Sequence, residues 1–108
     1  MFRSEGNYMS LDPVTAMRGV RQDMSRDQLI EVAYNARCGE ARRIALVYLG
    51  DQGFMESFAK EDPDPMVRRG LVRRLENREV VKHIAKTDSD SSVREAAEQT
   101  LQQMKILR

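Results

Sequence analysis

Apolar residues recur along this chain in short bursts at helical spacing. Leu29, Val32 and Ala33 stand at i, i+3 and i+4, and so do Met55, Phe58 and Ala59, and again Val81, Ile84 and Ala85. Such spacing puts the apolar side chains on one stripe of a helix. A second kind of stripe runs at four-residue steps: Ala41, Ala45 and Leu49, then Val67, Leu71 and Leu75, then Val93, Ala97 and Leu101. The two kinds alternate. A shift of 26 residues superimposes them, carrying Ala33 onto Ala59 and Ala85, Arg42 onto Arg68 and Arg94, and Leu49 onto Leu75 and Leu101. Polar positions follow the same shift: Ser25 meets Asp51 and Asn77, Asp62 meets Asp88, and Asp64 meets Asp90.

Each unit therefore reads as a helix, a turn and a second helix. Ser25, Asp51 and Asn77 are suited to cap the first helix, because their side-chain oxygens can accept an orphan amide of the first turn. Ser25 and Gln28 also fit a capping box. Asp64 and Asp90 are placed to cap the second helix, with Pro65 at a first position where its missing amide costs nothing. Gly50 closes the first unit where a left-handed residue is wanted. A lone unit of this kind cannot cover its stripe, so the pattern predicts stacked neighbours sharing one core. The expected architecture is all-α: an α-solenoid of three helix–turn–helix repeats in a single domain. The repeats span 24–49, 50–75 and 76–101, with a C-terminal helix extension over 102–108. Residues 1–23 stand outside the register. Asp12 and Pro13 start a capping helix there, with Val14, Met17, Val20 and Met24 as its apolar face. Residues 1–11 are expected to be loose, with Phe2, Tyr8 and Met9 able to fold back on the core.

The run Asp62-Pro63-Asp64-Pro65-Met66-Val67-Arg68 and its counterpart Asp88-Ser89-Asp90-Ser91-Ser92-Val93-Arg94 resemble the core motif of HEAT-like repeats. The short units named after phycobilisome lyases are similar in style, as are leucine-rich variant repeats. The resemblance covers about residues 24–104. It implies an architecture, and it implies that the recurrent arginines form a ladder between units, with Arg42, Arg68 and Arg94 reaching Asp62 and Asp88. It says little about function, since such repeats serve many jobs. The first unit departs from the motif, because Cys38-Gly39 stands where the others have a capping aspartate.

Composition narrows the function further. With 41% hydrophobic and 32% charged residues the chain is globular in type. A net charge of +1 gives no global pull towards nucleic acid or anionic lipid. One cysteine excludes an internal disulfide framework and a cysteine-held cluster within one chain. The N-terminal residues lack the apolar run of a secretory signal, and no stretch approaches the ~20 apolar residues of a membrane span. A cytoplasmic location is the expectation. No phosphate loop, nucleophile elbow or metal-binding motif occurs. His83 is expected on the surface and Cys38 in a turn, with no base at hand. No cofactor, metal or catalytic role is expected.

One cluster remains. Arg69 and Arg73 lie four apart on the second helix of unit two, Arg74 follows, and Arg43 is the counterpart of Arg69 one unit earlier. In unit three the equivalents are Glu95 and Gln99, so the strip does not continue. The plain reading of such a strip is a solvated charged face, and three functional readings stand beside it. The favoured one is a non-catalytic interaction or scaffold module that binds a partner protein or peptide on its concave helix face through Arg43, Arg69, Arg73 and Arg74. The second is nucleic-acid phosphate binding through the same strip, though no aromatic residue interleaves it for base stacking. The third, a lyase-type accessory protein, comes only from the family resemblance. Met104, Ile106 and Leu107 give the far end an apolar character that also allows a homodimer.

Overall fold

A computed structural model describes residues 6–107, apart from the side chain of Leu107. Phe2 and that side chain, both given packing roles above, lie outside the described residues. Among the described residues there are seven helices and no strand. The chain divides into two compact units, the first ending at Asp51 and the second starting at Gln52.

The first unit holds α1 (Pro13–Arg18), α2 (Arg26–Asn35) and α3 (Gly39–Leu49). Ser25 and Gln28 form the expected capping box at the start of α2. Helix α3 pairs with α2 and with α1. Ala33, Ala41, Ala45 and Leu46 are fully buried between them. The small alanines let the backbones approach, and Val32 and Leu46 fill the remaining space. Gly50 ends α3 with φ of 67°, the left-handed conformation in which a Cβ is penalised. Arg26 joins Asp51 at 2.8 Å on the surface, a pair worth about 0–1 kcal/mol.

The N-terminal part differs from expectation in two ways. Helix α1 is only six residues long and stops at Gly19, so its buried residue is Ala16, while Val14 is 57% exposed. Val20 is buried beyond the helix end rather than on its face. A helix of under two turns cannot carry a stripe from Val14 to Met24. Residues 6–11 are also held in place, against the loose arm expected. The Asn7 amide donates to the Thr15 carbonyl at 3.0 Å, and Ser10 closes a turn onto Asn7 at 2.9 Å. Gly6 and Gly19 permit the approach, since a Cβ on Gly6 would collide with the Gly19 amide and one on Gly19 with the Tyr8 amide.

The second unit holds α4 (Gln52–Glu61), α5 (Pro65–Val72), α6 (Arg78–Thr87) and α7 (Ser91–Leu107). Helix α4 pairs with α5, α6 with α7, and α5 with α7. Its core is Met55, Ala59, Val67, Leu71, Val72, Val81, Ile84, Val93, Ala96 and Ala97. Each of the larger side chains contributes about 1.5–3 kcal/mol by leaving water. Asp64 caps α5 by accepting from the Met66 amide at 2.9 Å, with Pro65 at the first position as expected. Asp90 does the same for α7, accepting from Ser92 and Val93. Asn77 caps α6.

Helix α5 is shorter than its stripe suggested. It ends at Val72, Arg73 is its C-cap, and Leu75 lies in the following turn, although still buried. Gln52 secures that turn: its amide donates to the Arg74 carbonyl at 2.9 Å and its carbonyl accepts from the Glu76 amide at 3.0 Å. These bonds replace the helical ones that α5 gives up.

Candidate functional site

The arginines of this chain fall into two groups by what they bond. The first group recurs at 26-residue intervals. Arg42 Nη1 donates to the Ala36 carbonyl at 3.0 Å, Arg68 Nη1 to the Asp62 carbonyl at 2.7 Å, and Arg94 Nη1 to the Asp88 carbonyl at 2.7 Å. In every case the acceptor is the residue just after the first helix of the hairpin, where carbonyls have lost their helical partners. A guanidinium there satisfies one of them and complements the negative end of the helix.

Arg68 does more. Its Nε and Nη2 grip the two carboxylate oxygens of Asp88 at 2.9 and 3.0 Å. Both side chains are nearly out of water, at 11% and 4% exposure. The Asp88 carboxylate, with that of Asp90 and Asp62 nearby, raises the Arg68 pKa above its ordinary value. Asp88 also accepts from the Asp90 amide at 2.9 Å, as Asp62 does from Asp64. Asp62 and Asp88 thus organise their own turns through a side-chain oxygen and a main-chain oxygen. A cleft of about 350 Å³ opens over this cluster, with Lys60 and His83 at its edge. His83 is exposed, as expected.

The second group is Arg43, Arg69, Arg73 and Arg74. Arg43 stands half-buried on α3 of the first unit. Arg69 is half-buried on α5 and turns its guanidinium to the Met66 sulfur, 3.2 Å away. Arg73 and Arg74 are exposed at the end of α5. Among the described residues Arg69, Arg73 and Arg74 make no salt bridge. Arg73 faces the C-terminal half of α7, where it lines a groove with Thr100 and Gln103. Sequence reasoning passed over Thr100, Gln103, Met104 and Arg78 as groove residues. The signal available was the apolar Met104 continuing α7 beyond Leu101.

Cys38 occupies the N-cap of α3 without capping it. It is buried, and its thiol lies 2.8 Å from a Glu40 carboxylate oxygen. Burial first, then the hydrogen bond to Glu40, raises its pKa above the ordinary thiol value, which is the opposite of an activated nucleophile. The thiol donates to Glu40 and lowers the pKa of that carboxyl. Among the described residues no three metal-ligating side chains gather into a site, and no helix is long and apolar enough to cross a membrane. Comparison with family models, curated proteins and solved structures finds no match to this chain.

Proposed function

We propose that this chain is a HEAT-like α-solenoid of three 26-residue hairpins and acts as a non-catalytic module that binds a partner protein. The observation that carries the reading is the recurring bond from Arg42, Arg68 and Arg94 to the carbonyl six residues earlier. The same side chain meets the same backbone need in each hairpin, as repeats of one ancestral unit require. Ala33, Ala59 and Ala85, one period apart, are each buried, which supports the reading further. The functional half rests on the arginines this scheme leaves over. Arg69, Arg73 and Arg74, which make no salt bridge among the described residues, concentrate positive charge at one helix and its end, in a chain whose net charge is only +1. An acidic protein surface is the complement.

The test is a pull-down with wild-type protein and with an Arg69→Glu/Arg73→Glu variant of matched helicity. A partner retained by the first and lost by the second is the expected outcome. Identical partner sets would refute the placement of the surface. A labelled DNA duplex titrated with salt serves as the parallel measurement. A steep linear fall of log affinity with log salt would move the assignment to nucleic-acid phosphate.

A further inference from the structure

The second unit carries a groove whose chemistry narrows the class of partner. Two abutting clefts of about 350 Å³ and 290 Å³ lie between the end of α5 and the C-terminal half of α7, sharing Arg73, Thr100 and Gln103. The larger adds Leu75, Arg78 and Met104. Its floor is apolar. Leu75 is 4% exposed, and the buried Thr100 donates its hydroxyl to the Ala96 carbonyl at 2.8 Å. That hydroxyl is satisfied within its own helix and asks nothing of a ligand. Met104 is half-buried, with an unbranched thioether that adapts to an incoming side chain. Gln99 and Gln103 line the smaller cleft, and Ile106, 74% exposed, continues their face of α7 at i+7.

The rim is cationic. Arg73, Arg74 and Arg78 lie within six residues, and none forms a salt bridge among the described residues. Among the described residues Glu76 is the one carboxylate lining the groove, so positive charge is in excess. A small-molecule site buries most of its ligand in a closed cavity, and these clefts lie open along one side. A phosphate chain would use the arginines and leave the apolar floor uncovered. A helix laid along a groove uses both, placing apolar residues every third or fourth position downward and polar ones at the rim. Arginine forks grip carboxylates in bidentate fashion.

Resting on the interaction-module reading, we infer that the groove between the end of α5 and the C-terminal half of α7 receives an acidic amphipathic helix of a partner protein. Leu75, Met104 and Ile106 take its apolar side, and Arg73 and Arg78 take its carboxylates. The probe is a displayed library of random peptides selected against the full chain, followed by affinity measurements on the enriched sequences. Enriched peptides should combine apolar residues at helical spacing with Asp or Glu, and should become helical on binding. Arg73→Glu/Arg78→Glu should weaken them about tenfold or more, and Lys86→Glu at an exposed position of α6 should not. Met104→Asp should also weaken them, and the exposed Ile106→Asp gives the same information if Met104→Asp disturbs folding. Enriched peptides indifferent to all these changes overturn the groove while the module reading stands. No enrichment of any sequence overturns both.

Discussion

Replacing Arg68 by alanine removes three hydrogen bonds at once: two to the Asp88 carboxylate, at 2.9 and 3.0 Å, and one to the Asp62 carbonyl at 2.7 Å. With the two side chains at 11% and 4% exposure, solvent cannot take over the orphaned carboxylate. Breaking a buried pair by deleting one partner costs about 3–5 kcal/mol. The lower end applies here, because Asp88 keeps the Asp90 amide at 2.9 Å. A loss of about 3 kcal/mol corresponds to a melting shift of roughly 12–24 °C in a domain of this size. Arg68→Lys keeps the charge but not the fork, and should lose about half as much. Arg69→Ala, which gives up only a contact to a methionine sulfur, should stay within about 0.5 kcal/mol. The decisive comparison is Arg68→Ala/Asp88→Ala. Removing both partners also removes the stranded charge, so the double variant should be more stable than the sum of the single losses predicts. Thermal and denaturant melts followed by circular dichroism read these variants together with Asp88→Ala alone, which the comparison requires. Equal losses from Arg68→Ala and Arg69→Ala, or strict additivity in the double variant, would refute the reasoning.

Four other outcomes are expected. Gly19→Ala places a methyl against the Tyr8 amide and, at 2.7 Å, the Asn7 carbonyl carbon; it should cost about 1–3 kcal/mol and release residues 6–11, seen as faster amide exchange there. Cys38 should react with a disulfide reagent far more slowly than a free thiol, and its rate should still be rising above pH 9.0 because its pKa is raised; prompt labelling would contradict its burial. The pKa of Asp90 is lowered below 3.8, chiefly by the Ser92 hydroxyl, so its contribution to stability is complete above 3.8 and disappears as pH falls through the lower folded value; Asp90→Asn should flatten that acid limb in melts taken on either side of 3.8. Cys38→Ser offers α3 the cap it lacks while keeping a donor for Glu40, and should raise stability by about 0.5–1 kcal/mol; a lower melting temperature would show that the small thiol pocket cannot seat a hydroxyl.

Most of the helical layout could be read from the chain because caps and stripes agreed. Ser25, Asp64, Asn77 and Asp90 each bond the amides their positions called for. What the pattern misplaced were ends. Val67, Leu71 and Leu75 keep a four-residue rhythm, yet the helix stops at Val72 because Gln52, distant in sequence, bonds both Arg74 and Glu76 and stabilises a turn there. Leu75 remains buried either way, so periodicity alone cannot distinguish the two cases. At the other end, Val14 fits a helical stripe but faces water, because the close approach of Gly6 to Gly19 sets how α1 docks. The sequence marks Met104 only as part of an apolar end, and Thr100 and Gln103 not at all, because a groove is a property of two helices at once.

Adjacent arginines with opposite fates explain why the candidate surface was harder to read than the fold. Successive helix positions point about 100° apart, so in Arg42-Arg43 and Arg68-Arg69 the first residue of each pair turns to the hairpin's own backbone and the second turns away. The third hairpin separates the two roles. It keeps Arg94 on the Asp88 carbonyl and changes the next residue to Glu95. The inner position answers a demand that every hairpin makes, since the carbonyl at the end of the first helix must be met wherever that helix ends. The outer position answers no such demand and can change sign. A basic surface confined to part of the chain is therefore not dictated by the hairpins' own bonding, which is why the proposed partner is placed at the end of α5.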